Sequence, residues 1–146
     1  MKSLIIFLLI WFSISYNTKD AVSYARKYCN INDYIYYEYK DSFGYSANFV
    51  SRCLKTGGQQ LTGCVGLDSK GDIHLISNLR SCLTKKGWKS QKGMPKGFKA
   101  GYPFFSENHA KIATYVRENN IKYCSHSNNR CDASINADSS FYYYYL

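Results

Sequence analysis

The chain has 146 residues, six of them cysteine and fifteen tyrosine, and carries nineteen Lys and Arg against ten Asp and Glu. That length holds one domain with a single core and is too short for two comfortable ones. The formal charge of +9 favours anionic surfaces such as cell-wall polymers, acidic glycans or membranes, while the absence of an arginine-rich arm or a nucleic-acid motif argues against a specific nucleic-acid binder.

Lys2 opens the chain with a positive charge, Leu4 to Ile14 is an apolar stretch, and Ser13-Ile14-Ser15 places small residues where a signal peptidase reads. This predicts a cleavable leader over residues 1–15 and a secreted protein, against the competing reading of a buried N-terminal helix. The apolar run falls below the roughly 18 to 20 residues a membrane-crossing helix needs, and no later segment approaches it, so no transmembrane span is expected. The mature domain is expected over residues 19–146, as a monomer without linker, repeat or low-complexity segment.

Secretion gives the cysteines a meaning. An even number in an oxidising compartment predicts three disulfides among Cys29, Cys53, Cys64, Cys82, Cys124 and Cys131. Cys64 and Cys82 bracket one segment and Cys124 and Cys131 a polar loop, which leaves Cys29 with Cys53. No two cysteines have the close C-x2-C spacing of a zinc site, and nothing calls for a cofactor.

Asp20 to Tyr28 places Ala21, Val22, Ala25 and Tyr28 at helical spacing, ended by Asn30 and Asn32. The tyrosine-rich stretch from Tyr34 to Tyr39 reads as an extended packing segment. Ser46 to Leu54 predicts a second helix with Phe49, Val50, Cys53 and Leu54 on one face and Gly57-Gly58 as its stop. Asn78 to Lys86 predicts a third, with Leu79, Cys82 and Leu83 inside, lysines at its C-terminal end and Gly87 as terminator. The period then shortens to two, predicting strands at Phe98 to Phe105, His109 to Arg117, Ile121 to Ser125 and Phe141 to Leu146. Helices followed by an antiparallel sheet make an α+β domain. The Glu118-Asn119-Asn120 break reads as a hairpin turn, which sets His109 and His126 at paired ends of neighbouring strands. There two histidines are within cross-strand reach, although each alone would more often be structural.

The run Ser46-Ala47-Asn48-Phe49-Val50-Ser51-Arg52-Cys53-Leu54, followed by Gly57-Gly58, resembles the nucleophile helix of the putative amidase domain family. That family is placed in the papain-like group with NlpC- and CHAP-type cell-wall peptidases, and its usual pattern here is Asp-Cys-(Ala/Thr)-Asn-Phe-Val-Ser-Gln. Gly87-Trp88-Lys89, Lys99-Ala100-Gly101 and His109-Ala110-Lys111-Ile112-Ala113-Thr114 are similar to its segment leading into the catalytic histidine strand. Ser125-His126-Ser127-Asn128-Asn129-Arg130 resembles its His-Thr-Asn-Asp-Arg signature, and Phe141 to Leu146 its closing strand. The resemblance spans residues 19 to 146. It implies a papain-like fold with N-terminal helices packed on an antiparallel sheet, His109 as catalytic histidine, and His126 or Asn128 as the residue that orients it. Three departures stand out: Ser46 occupies the position of the nucleophilic cysteine, Tyr45 that of the preceding aspartate, and Tyr102 follows Gly101 where Gly-Asp is common.

A thiol of ordinary pKa about 8.5 is pulled below neutrality by a helix N-terminus and an imidazolium, so a thiolate waits for substrate. A serine hydroxyl must instead lose its proton during attack to a poised histidine, with an oxyanion hole in place. The resemblance therefore implies either a silent member that binds an extracellular peptide, glycan or cell-wall polymer in the former cleft, or an active amidase using Ser46, His109 and His126. The bland reading makes Ser46 a helix N-cap, Cys53 a core or disulfide partner, and the chain a disulfide-stapled secreted effector.

Overall fold

The computed structural model describes residues 15–31, 45–126 and 128–146. The body of the expected leader and the Tyr34 to Tyr39 segment lie outside the described residues. Three helices, α1 (Thr18–Tyr28), α2 (Tyr45–Thr56) and α3 (Ile76–Lys85), precede six strands: β1 (Lys89–Lys92), β2 (Pro103–Phe105), β3 (Ala110–Arg117), β4 (Asn120–Ser125), β5 (Arg130–Asn136) and β6 (Tyr142–Tyr145). The strands form one antiparallel sheet in the order β1-β6-β2-β3-β4-β5, against which the helices pack in an α+β arrangement.

The helices stop and start for local reasons. Asn17 caps α1, its side chain accepting the Asp20 N–H at 3.0 Å, so the helix starts at Thr18, two residues before the expected Asp20. At the end of α2, Gln59 N–H bonds to Leu54 O and Gly58 N–H to Lys55 O, each at 2.9 Å, with Gly58 at φ +94°. This six-to-one pair with glycine in the left-handed region closes the last turn. Trp88 and Gly87 close α3 in the same way on Leu83 and Thr84, with Gly87 at φ +95°.

Aromatic side chains fill the layer between and beneath these elements. Phe49, Leu54, Leu79, Leu83, Phe104, Phe105, Ile112 and Tyr143 are wholly buried, and Phe104 stacks on Tyr143 at 5.7 Å. Packing reaches back to Tyr16, whose hydroxyl donates to Gly101 O at 2.6 Å and whose ring meets Trp88 edge-on at 5.1 Å. Gly101, at φ +92°, lies so close to Thr18 that a Cβ would stand 2.6 Å from the Thr18 Cβ.

The sheet differs from expectation in three places. The Phe98 to Phe105 strand is confined to Pro103–Phe105, because Phe98 turns back on Pro95 and Gly101 adopts positive φ. Both β1, whose four residues are all exposed, and the largely exposed β5 were not anticipated. β1 lacks the apolar alternation that marks a half-buried strand, whereas β5 carries it weakly in Cys131, Ala133 and Ile135 among polar residues.

The cysteine pairing is also corrected. Cys64 joins Cys82 as expected, but Cys29 joins Cys131, while Cys53 and Cys124 are buried free thiols. The expected Cys124–Cys131 and Cys29–Cys53 bonds do not form. Cys124 on β4 and Cys53 on α2 point into the core, whereas Cys131 is exposed on β5 beside the end of α1. The same junction is held by Arg26 Nε, 3.2 Å from each carboxylate oxygen of Asp132. Among the described residues no helix is long and apolar enough to cross a membrane.

Candidate functional site

The N-terminal turn of α2 abuts the start of β3 and the end of β4, and this corner gathers the residues singled out in the sequence. Ser46, the second residue of α2, is completely buried. Its Oγ accepts the backbone N–H of Ala110 at 2.9 Å, so the hydroxyl bonds to the strand immediately after His109 and not to its own helix's first turn. Ala110 is clamped from the other side by Ser125, whose hydroxyl donates to Ala110 O at 3.3 Å.

His126 enters the same corner from β4. Its ring stacks on Phe49 with centroids 3.9 Å apart, and Nε2 lies 2.7 Å from Tyr28 O. A carbonyl only accepts, so Nε2 carries the proton and serves one of the carbonyls that the end of α1 leaves without an intrahelical donor. Burial pushes the His126 pKa down to about 4, with Arg52 adding to the effect and the Tyr28 carbonyl opposing it. The imidazole is therefore neutral at physiological pH.

His109 lies just before β3, exposed. Its pKa is lowered by partial burial and then by the charge of Lys111. The Ile112–Cys124 pairing, continued outward, sets His126 across from Ala110 and leaves His109 one residue out of step. Asn128 is exposed in the β4–β5 turn with φ +69°. The structure thus brings Ser46, His126 and the backbone beside His109 together, while Asn128 has a turn conformation.

Other residues of the Ala47-to-Arg52 run hold the scaffold. Ser51 Oγ donates to Ile73 O at 3.0 Å and accepts Ile73 N–H at 3.2 Å. Arg52 and Lys55 reach the buried Asp72 carboxylate at 3.5 and 2.9 Å. Asn48 differs from these: it is wholly buried, and neither amide atom has a hydrogen-bond partner among the described residues. An unsatisfied buried amide is rare and costly. Its sequence context gives no warning, since the neighbours that fail to satisfy it come from elsewhere in the chain.

Lys111 was likewise not singled out for chemistry. It is buried on β3 with its Nζ 3.3 Å from Ser106 Oγ and within 6 Å of the Tyr123 and Phe141 rings, and burial lowers its pKa to about 8. The signal was a lysine inside an apolar strand. Among the described residues no group of three or more His, Cys, Asp or Glu side chains could hold a metal ion. Burial raises the pKa of both free thiols and outweighs the opposing charges of Arg52 beside Cys53 and Arg26 beside Cys124, which makes them poor nucleophiles.

A family model described as a putative amidase domain matches residues 15–95. The match includes all three helices, with Ser46, and ends after β1, ahead of His109 and His126. Comparison with curated proteins and with solved structures returns no match.

Proposed function

The chain belongs to the putative amidase domain family, and from that premise we propose that it is a secreted, catalytically silent member. It binds a peptide or glycan-linked peptide in the cleft where the family pattern places a nucleophile. Removal of a leader after Ser15 would start the mature chain at Tyr16, which is already packed against Trp88 and Gly101. The two disulfides are compatible with an oxidising compartment. The α2 N-terminus lying against the start of β3 supports a papain-like assignment.

One observation carries the reading: Ser46 is fully buried and its oxygen is taken by the Ala110 amide. A serine nucleophile needs access to substrate and a histidine placed to take its proton. Here the oxygen serves as a fastener between helix and strand. His126, the expected orienting residue, spends its Nε2 proton on the Tyr28 carbonyl.

A second reading is an amidase in which Ser46 attacks, His109 acts as base and His126 orients it. The exposed position and lowered pKa of His109 favour it, since a neutral imidazole is what a general base requires.

The two readings separate in a comparison of the unmodified protein with Ser46→Cys and His109→Ala on cell-wall peptides. The silent reading expects no turnover by the unmodified protein or by His109→Ala, with binding to cell-wall material retained. Turnover by the unmodified protein that vanishes in His109→Ala would overturn it. Turnover appearing only in Ser46→Cys would show that the cleft kept its base after the nucleophile changed.

A further inference from the structure

Between Asp72 and Glu107 the chain contains no acidic residue, yet it carries Arg80, Lys85, Lys86, Lys89, Lys92, Lys96 and Lys99. Most of these lysines are exposed, as solvated charges usually are. Arg80 is held differently. It projects from α3 onto β6, with its guanidinium carbon 4.0 Å from the Tyr142 ring centroid and 6.0 Å from that of Tyr144, and its Nε donates to the Tyr144 hydroxyl at 3.1 Å. Stacking and one hydrogen bond fix the guanidinium plane, and they use only one of its five N–H donors. No carboxylate pairs with Arg80 among the described residues.

A second cation comes to the same ring. Lys92, the partner of Tyr142 in the β1–β6 register, places Nζ 5.3 Å from the Tyr142 centroid. Two positive charges sharing one ring, with no counter-charge among the described residues, repel, and an anion between or above them relieves that repulsion.

The space in front of Arg80 is a groove of about 450 Å³ lined by Ser77, Arg80, Ser81, Thr84 and Tyr144. Ser77, Ser81 and Thr84 recur at helical spacing, so their hydroxyls form one wall of α3. The Ser77 and Ser81 hydroxyls, which both donate and accept, match the hydroxyls of a sugar, and Thr84, whose hydroxyl donates to Arg80 O at 3.2 Å, adds an acceptor. A guanidinium fork matches an oxyanion bidentately.

We propose that the α3–β6 groove is a binding site for an anionic glycan, with Arg80 gripping a phosphate or sulfate group and Ser77, Ser81 and Thr84 bonding the adjoining sugar. The lysines along β1 and the following loop extend the positive field for the rest of the polymer. The site is separate from the Ser46 corner, and the proposal does not depend on whether that corner binds or cleaves.

Heparin, a sulfated glycan, tests this by calorimetric titration at 150 mM salt, with neutral dextran as the uncharged comparison. The unmodified protein is expected to bind heparin and not dextran. Arg80→Ala is expected to lose at least tenfold in affinity, and Arg80→Lys several-fold, because an ammonium keeps the charge but not the fork. Ser81→Asp sets a negative charge in the groove from an exposed position that the fold does not use, and is expected to lose at least tenfold even if Arg80→Ala proves unstable. Lys96→Gln, outside the groove, is expected to change affinity less than threefold.

Equal losses in Arg80→Ala and Lys96→Gln, or none in Ser81→Asp, would overturn the site in favour of diffuse lysine charge. Vesicles of anionic phospholipid that bind more tightly than heparin, with the same dependence on Arg80, would overturn the glycan assignment. Ser46→Cys and His109→Ala are expected to leave heparin affinity unchanged, so failure here is distinguishable from failure of the cleft reading.

Discussion

The α2–β3–β4 corner and the α3–β6 groove both display polar side chains held in defined positions, but their hydrogen-bonding capacity is spent differently. In the corner, Ser46 is closed over by the Ala110 amide, Ser125 is bonded to the Ala110 carbonyl, and His126 is neutral and bonded to Tyr28. In the groove, Arg80 is positioned by two tyrosines yet keeps most of its donors unspent and has no counter-ion among the described residues. Positioning alone therefore does not mark a functional group. A surface group fixed by the protein and still short of partners is available to a ligand, which the wholly buried Asn48 amide is not, whereas one whose partners are all internal is doing structural service.

The disulfides provide the largest test of this contrast, because one braces each region. Cys29–Cys131 closes a link of 102 residues beside the corner, and Cys64–Cys82 one of 18 residues onto the groove helix. Chain entropy makes the first worth about 5 kcal/mol and the second about 3 kcal/mol. Denaturant unfolding of Cys131→Ser and Cys64→Ser is expected to show losses in that order. A larger loss in Cys64→Ser would mean that the groove helix, not the corner, anchors the fold.

Titration should next distinguish the regions. The His126 pKa is about 4 in the folded protein and about 6.5 when unfolded, so the unfolded chain binds the extra proton between those values. The neutral-histidine stability is fully present above pH 6.5 and is lost as pH falls toward 4, by on the order of 3 kcal/mol. His126→Gln keeps an N–H donor and removes the titration. Its urea midpoint should fall less between pH 7 and pH 4.5 than that of the unmodified protein, and an equal fall would remove His126 from the acid response. No histidine lines the groove, so Ser81→Ala should leave this profile as it is.

The smallest contrast pits one serine against another. Ser46→Ala strands a buried amide and is expected to cost about 2 kcal/mol. Ser81→Ala, at an exposed position, should stay within about 0.5 kcal/mol. Thermal melts of both variants check this, and a neutral Ser46→Ala would return Ser46 to the list of residues kept for chemistry.

What the sequence determined by itself was the part governed by neighbours in the chain. The apolar spacing of Ala21, Val22 and Ala25, of Phe49, Val50 and Cys53, and of Leu79, Cys82 and Leu83 marked three helices within two residues of their observed ends. Gly58 and Gly87 stop two of them through bonds that span six residues. The α+β order, the hairpin around Glu118 and the Cys64–Cys82 bond were legible for the same reason, since each closes over a short stretch of chain.

Only the tertiary structure decided what distant segments do to one another. Lys89 to Lys92 is a strand because Tyr142 to Tyr145 offers it a ladder, not because of any alternation of its own. Cys131 pairs with Cys29 because β5 returns beside the end of α1, and that return cannot be read from spacing. Ser46 and His126 were found by their places in a motif. Burial and the backbone groups of Ala110 and Tyr28, 64 and 98 residues away, settled their bonding. Hydrogen-bond satisfaction is a property of the packed chain, and it is packing that makes the Ser46 hydroxyl a fastener between α2 and β3.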